Sequence, residues 1–483
     1  MDTETGVGST KALRGVLVPL ALAQFICSFA GSNMNVMIND ISRDLNTSVQ
    51  GVQVAITLFL LVMAALMIPG GKLTDRYGRK RCFLAGLVIY GVGAVLSAVS
   101  PGLGILILGN SILEGVGTAL LIPPVYILTT LLFRDLPSRA RAFGIISALG
   151  GIGAAAGPLL GGLITSAISW RAAFGFQALV IVVIVLLGLR IQDPVAADPD
   201  RPFDIGGAVL SALGLVLLVL GILATDNSLP LALALVVCGG LVLVWFVLST
   251  RTKERAGREA LVSLSVFRNR MSNLGMVTQN AQWLLLSGVS FVVSAYLQVV
   301  RGYDAIETGV IFSATTLGLM GSSLAAERLA RRLPQRNLIL AGFVITIAGV
   351  LLLLFLVPDR VSPWSFVPGL LLIGLGLGTM LTPSVNLVQS SFGEQQQGEI
   401  SGVSRSVSNL GSSLGTAIAG TILVAGLTAT PERSYALAIA VLAVIGGPAW
   451  SRHSPCPDRR PSRWSRSPRR PTRHLGGADR SRR

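Results

Sequence analysis

Histidine is nearly missing from this sequence: the only two, His453 and His474, both fall close to its C-terminal end. The body of the chain therefore offers no histidine metal site and no histidine proton relay. Cysteine is almost as scarce, four in 483 residues. Cys27, Cys82, Cys238 and Cys456 follow neither a zinc spacing nor a disulfide framework, and read as small apolar packers. No Gly-x-x-x-x-Gly-Lys loop occurs, which removes ATP hydrolysis as an energy source. With no nucleophile–base or metal set in view, the chain is not expected to be an enzyme or to hold a cofactor. Charge is short as well. Only 13% of residues are Asp, Glu, Lys or Arg, about half the usual share in a soluble domain, roughly 25%.

What the chain does have is apolar length. It is 52% hydrophobic with a mean hydropathy of +0.69. A helix needs about 20 apolar residues to cross a bilayer. Windows of that order recur near 15–39, 50–70, 82–100, 104–130, 140–166, 172–189, 205–224, 229–249, 272–299, 308–326, 338–357, 364–390 and 400–426. These are spans 1 to 13; a fourteenth starts at Tyr435 and stops early. The runs are continuous rather than alternating, which favours helices over a barrel. The first is longer than a signal h-region and lacks a small-residue cleavage site, so it is expected to stay on the chain. The fold class is an all-α polytopic membrane protein, with the lipid bilayer as its first partner.

The net charge of +16 divides in two. Residues 451–483 contribute +9, eleven Arg against Asp458 and Asp479, and the remaining +7 lies mostly in short loops. Nothing in that distribution calls for nucleic acid. The loops 2–3, 4–5, 6–7, 8–9 and 10–11 hold twenty Lys and Arg, whereas the alternate loops hold five: Arg43, Arg171, Arg301, Arg360 and Arg433. Basic short loops stay in the cytoplasm. The expected placement is the plasma (inner) membrane, multi-pass, with a cytoplasmic N-terminus over residues 1–14.

The densest cluster is "GGKLTDRYGRKR", residues 70–81. A topology anchor explains its basic residues but not Asp75, Gly71 or Gly78. Those suit a tight turn in which Asp75 pairs with an arginine or caps a helix. The pattern Gly71-x-Leu73-x-Asp75-Arg76-x-Gly78-Arg79-Lys80 resembles the loop 2–3 signature of the major facilitator superfamily. That resemblance implies a cytoplasmic gating loop whose aspartate and arginines lock and unlock as the transporter switches. A degenerate echo, "ERLARRLPQR" (327–336), follows span 10, with Arg331 in the place of Asp75 and Pro334 in the place of Gly78. It makes spans 2 and 10 equivalent if spans 7 and 8 are an insert. The expected organisation is a six-helix half over 15–190, linkers and two inserted helices over 191–260, a second half over 261–448 and a basic tail over 449–483. Paired halves place a substrate site between them. A fourteen-span plan resembles the drug:proton antiporters of the superfamily, as do "YLQVVRGYDAIETGV" (296–310) and "SWRAAFGFQ" (169–177).

Span 5 carries "GIGAAAGPLLGG" (151–162). Gly153, Gly157, Gly161 and Gly162 allow a neighbouring helix to come close, and Pro158 removes a backbone bond. This packing motif resembles the signature of the exporting branch. Span 4 reads "LGNSILEGVGTALLIPP" (108–124), with Asn110 and Glu114 where the family has arginine and glutamine. An ionised carboxylate at mid-helix costs roughly 2.5 kcal/mol or more in lipid. Glu114 is therefore a proton-coupling candidate, the bland alternative being a hydrogen bond to a neighbouring helix. In span 1, the family's aspartate is replaced by Ala30. Ser32, Asn33 and Asn35, with Asn110, are cavity candidates or else interhelical glue. Arg405 in span 13 is expected to snorkel to the interface, with a substrate anion or Glu114 as alternative partners.

After thirteen apolar residues from Tyr435 the chain turns to "PAWSRHSPCPDRRPSRWSRSPRRPTRHLGGADRSRR", which reads as disordered. Two origins stand open, a basic tail for anionic lipid and a reading-frame shift that cut span 14 short. The expected function is a proton-coupled secondary transporter that exports small lipophilic or amphipathic molecules by alternating access. An importer or facilitator, and a truncated non-transporting protein, are the rivals.

Overall fold

In lipid a backbone must satisfy its own hydrogen bonds, and the long apolar runs do so as helices. The structure is a computed structural model that describes residues 5–133, 135–193, 197–199, 202–225, 228–330, 333–356, 362–392, 397–426 and 430–446. The Arg- and Pro-rich tail, both proposed origins included, lies outside the described residues, as do Arg331 and Arg332 of the echo.

Twelve helices among the described residues have the length and hydropathy of a span. They are Gly15–Asp44 (span 1), Val49–Tyr77 (2), Arg79–Ala98 (3), Leu103–Leu132 (4), Arg141–Ala167 (5), Trp170–Gly188 (6), Ile205–Leu223 (7), Leu229–Arg255 (8), Arg270–Val300 (9), Gln335–Leu356 (11), Pro363–Gln389 (12) and Glu399–Gly426 (13). Ala305–Ala330 takes the place of span 10, and Pro431–Gly446, with 16 residues, that of span 14. At 1.5 Å per residue the last is about 24 Å long, short of a core near 30 Å. Polar caps fix several starts. Ser48 Oγ accepts from the Gly51 N–H at 3.1 Å, Asp135 Oδ2 from Ser138 at 2.8 Å and Asn269 Oδ1 from Met271 at 3.0 Å.

The packing repeats itself. Span 1 lies on spans 5 and 6, span 4 on spans 2 and 3, and span 3 on span 6. Span 9 lies on spans 13 and 14, span 12 on spans 10 and 11, and span 11 on span 14. Two six-helix halves result, joined along two seams, span 2 against span 13 and span 5 against span 10. Spans 7 and 8 pair with each other, and span 7 rests on spans 2 and 13. They are an insert laid against one seam, and span 8 presents Leu241, Val244, Trp245 and Leu248 outward, where lipid would cover them.

Glycine sets the helix spacing. A Cβ on Gly86 would meet the Gly117 carbonyl oxygen at 2.8 Å and one on Gly93 that of Gly109 at 2.6 Å. In the second half, Gly342 meets Gly376 and Gly349 meets Gly369, each at 2.7 Å. The two sets correspond except in one respect. Eight residues carry span 4 from Gly109 to Gly117, but seven carry span 12 from Gly369 to Gly376. Span 4 absorbs its extra residue as a π-helical segment, Ile107–Glu114.

The seam between spans 5 and 10 rests on the same device. A Cβ on Gly162 would fall 2.4 Å from the Ala305 carbonyl oxygen, and one on Gly309 would fall 2.3 Å from that of Pro158. Gly162→Val is therefore expected to wedge spans 5 and 10 apart and lower the melting temperature of the purified protein, an overpacking cost of about 1–3 kcal/mol. Gly144→Ala, where nothing lies within 4 Å, is expected to leave it unchanged or slightly higher. Equal melting of the two variants would refute the close-packed seam.

Candidate functional site

The basic cluster comes first. Span 2 stays helical through Lys72, Asp75 and Arg76 to Tyr77, and span 3 begins at Arg79, so Gly78 alone separates them. Gly71 lies within the helix, with Pro123 of span 4 at 3.7 Å from where its Cβ would be, rather than in a turn. Basic side chains at a helix end reach the headgroups, so nothing forces the helix to stop where the apolar run does. Gly78 makes the turn at φ +96°, a region closed to side chains with a Cβ. Its N–H donates to the Thr74 carbonyl at 3.1 Å. Arg79 Nη2 donates to Asp75 Oδ1 at 3.0 Å, both side chains largely shielded. The first turn of span 3 is capped from another loop: Lys80 N donates to Asp193 Oδ2 at 3.1 Å, and Lys80 Nζ to the Leu189 carbonyl at 2.8 Å. Leu73 receives the Cys82 thiol at its carbonyl, 3.5 Å away, and the Arg76 guanidinium lies 5.6 Å from the Tyr77 ring centre. A cleft of about 250 Å³ lined by Lys72, Glu254, Arg258, Glu259, Ser263 and Glu399 separates this loop from the connection 8–9 and the start of span 13.

The span 5 motif meets span 1. The Gly153 position approaches the Phe25 carbonyl oxygen at 2.2 Å, Gly157 lies on Ser32 and Asn33, and Gly161 on Asn33. Ser32 Oγ donates to the Ala154 carbonyl of span 5 at 3.0 Å. The Asn33 side chain is buried, with both polar atoms unpaired. Asn35 sits between the halves. Its carbonyl accepts from Ser294 Oγ at 2.5 Å and from Gln298 Nε2 at 2.8 Å, while the Asn39 N–H donates to Gln298 Oε1 at 3.1 Å. On the other seam, Gln53 Nε2 donates to the Thr416 and Ala417 carbonyls at 3.2 Å. Between spans 5 and 10, Ile306 N donates to Ser166 Oγ at 3.2 Å, and this bond and the glycine approaches fall at 158–166 and 305–309, away from the basic loops. The halves are thus shut at that end.

Glu114 is not between the halves. It is fully buried in the first half, on the π-helical segment of span 4, where it faces span 3. Asn110 Nδ2 donates to its Oε2 at 3.4 Å, and Oε1 is left unpaired. Tyr90 of span 3 donates to Gln177 of span 6 at 2.5 Å beside it. Asn110 therefore belongs to this enclosed cluster, and Ser32, Asn33 and Asn35 to helix contacts.

A sequence model of the Major Facilitator Superfamily matches residues 20–416. The chain belongs to that superfamily. It is accordingly a multi-pass membrane transporter and not an enzyme. It is similar to the puromycin resistance protein pur8 of Streptomyces alboniger, 32% identical over 84% of this chain and 81% of that one. It is also similar to the cephamycin export protein CmcT of Amycolatopsis lactamdurans, 28% identical over 94% and 96%. Among solved structures, a peptide transporter POT in complex with sulfate superposes with a TM-score of 0.66 at 17% identity, over 90% of this chain and 94% of that one, which speaks to the fold.

Within the superfamily fold, a further arrangement departs from the sequence reading. Arg405 does not snorkel. Its Nη2 donates to the Tyr126 hydroxyl, and its guanidinium lies 4.8 Å from that ring's centre. Tyr126 in turn donates to Gln24 Oε1 at 3.2 Å and stacks on Phe143 at 6.0 Å. Gln24 and Tyr126 gave no motif to find. Their one signal is polarity inside an apolar run, which many helix-contact residues share.

Outside the spans, Asp204 ties the insert down. It caps Gly207 at 2.7 Å, accepts from Leu261 N at 3.2 Å and pairs with Lys253 at 2.5 Å. Burial pushes its carboxyl up, but Lys253 and the two N–H donors outweigh this and hold it below the ordinary range. A depressed value adds stability above the unfolded carboxyl pKa of about 3.9 and loses it as pH falls through the lower folded value. Asp204→Asn is expected to speed hydrogen exchange at 205–210 and 256–263 about tenfold at pH 7, and wild type to show that loosening only below about pH 4. Identical exchange in the two proteins at pH 7 would count against the tie.

Proposed function

We propose that this chain is a proton-coupled exporter of small lipophilic or amphipathic compounds, working by alternating access between its two halves. The observation that carries the reading is the pair of seams, held at the end away from the basic loops by backbone approach between spans 5 and 10 and by the Gln53 hydrogen bonds between spans 2 and 13. Two rigid halves joined this way rock rather than deform. Export is supported by relatives whose names are a puromycin resistance protein and a cephamycin export protein. It is also supported by the span 5 frame, whose Gly162 and Pro158 make one of the seams themselves.

In this proposal the basic loops are cytoplasmic, so the conformation here is closed to the outside. Asp75, Arg76, Arg79 and Lys80 form the gate on the inner side, with Gly71, Leu73 and Gly78 shaping it. Arg79 already holds Asp75, and closing the inner side exchanges that partner for one across the cleft at Glu254 and Glu399. Glu114 is the group that takes up and releases the coupling proton. It is fully buried, with one oxygen unpaired and a tyrosine–glutamine pair beside it.

Cysteines placed at positions 76 and 255 are expected to resist an impermeant thiol reagent in intact cells and to react in inside-out vesicles. Labelling from outside would invert the topology. In proteoliposomes with an imposed pH gradient, Glu114→Gln is expected to abolish gradient-driven uphill transport while leaving substrate exchange intact. Unchanged dependence on the gradient would remove Glu114 from the mechanism. A deletion strain should accumulate more of a panel of toxic compounds, and a transporter that imports them would give the opposite sign.

A further inference from the structure

Arg405 is the guanidinium that the mechanism above does not use. It stands six residues inside the helix Glu399–Gly426, about 9 Å along its axis. Tyr126 stands six residues before the end of Leu103–Leu132. The two come from opposite halves. A charge at such depth costs roughly 2.5 kcal/mol or more, and the usual remedy is a carboxylate or a reach to the interface. Arg405 has neither: among the described residues its partners are the Tyr126 hydroxyl and ring. Glu114 is committed to Asn110 within its own half. A guanidinium carries five donors, and one is accounted for. The others are not sealed, because Arg405 is only half-buried and none of its nitrogens is among the enclosed unpaired atoms. Open donors, positive charge and a stacked Tyr126–Phe143 pair, all three side chains half-buried, therefore lie together where span 13 of one half meets span 4 of the other.

We propose that Arg405 binds the anionic end of an amphipathic aromatic substrate, a carboxylate or sulfonate, whose flat apolar part lies on Tyr126 and Phe143. The inference rests on the transporter reading and adds a substrate class to it. A planar fork suits a planar carboxylate, and a charge-assisted bond is strong where water is scarce. An anion also supplies the counter-charge that the site lacks. The absence of an acid at Ala30, where a cation would seek one, is consistent with it.

The test uses the purified full chain in lipid nanodiscs with 2-naphthoate and its neutral counterpart 2-naphthamide, titrated calorimetrically. Wild type is expected to bind the naphthoate about tenfold more tightly, the worth of one charge-assisted hydrogen bond. Arg405→Gln is expected to bring the naphthoate down to the affinity of the amide and leave the amide unchanged, with Arg405→Lys retaining part of the preference. Tyr126→Leu keeps the charge and removes the stacked pair, and should weaken both probes by a similar factor. That variant serves if Arg405→Gln fails to elute as a single species. Equal affinities in wild type, no naphthoate binding, a preference that survives Arg405→Gln, or a Tyr126→Leu that weakens one probe alone would each overturn the subsite. If the deletion strain still accumulates toxic compounds while the anion preference is missing, the subsite falls and the transporter reading stands.

Discussion

Backbone-to-backbone contact between helices is what the rest of this molecule depends on. Within lipid there is no hydrophobic drive to bring one apolar helix to another, so association relies on close packing and on carbonyls and hydroxyls that find partners. The chain supplies both through small residues. Gly86 with Gly117 and Gly342 with Gly376 weld corresponding helices in each half, and Gly162 with Ala305 joins the halves. Ser32, Ser294 and Gln53 then place hydrogen bonds on carbonyls that these approaches bring within reach. A side chain at any of the glycines would separate two helices along their length, not just fill a local space.

Most of the architecture was legible because hydropathy and helix length are both one-dimensional. The window read at 104–130 is the helix Leu103–Leu132, and that at 50–70 begins Val49–Tyr77. What hydropathy does not mark is where a helix goes after its apolar run ends. Span 2 continues for seven residues beyond the window, through three charged side chains, since Gly78 is the first position with a reason to stop it. The 3₁₀ turn Met34–Met37 and the π-helical segment of span 4 were also illegible, because neither changes composition.

The candidate site was legible in its residue types and not in their directions. Sequence depth placed Glu114 and Arg405 inside spans, but depth leaves the angle around the helix undetermined. Glu114 turns toward span 3, and Arg405 toward Tyr126 of span 4. Only comparison of the two halves exposes the reason for the first. The extra residue that turns Gly109–Gly117 into an eight-residue step rotates the start of span 4 relative to span 12. Counting back from Gly117 and Gly376, Glu114 corresponds to Ile373, and Tyr90 to Thr346 on the neighbouring helix. The first half thus carries Glu114 beside Tyr90 where the second has Ile373 beside Thr346.

That asymmetry bears on how the two embedded charged residues can respond to rocking. Arg405 and Tyr126 sit on different halves, so any rotation about the seams must lengthen their contact and change what the guanidinium faces. Glu114, Asn110, Tyr90 and Gln177 all sit on one half and would move as a body. Rocking alone leaves their surroundings as they are. In the proposed mechanism a proton would reach or leave Glu114 by a shift of span 4 against span 3, and the π-helical segment is where such a shift costs least, because its hydrogen bonds are already one residue out of α register. Under the proposed mechanism the seam carries the site that rocking would remodel directly, and the bulge carries the one that would be linked to it through the movement of a single helix.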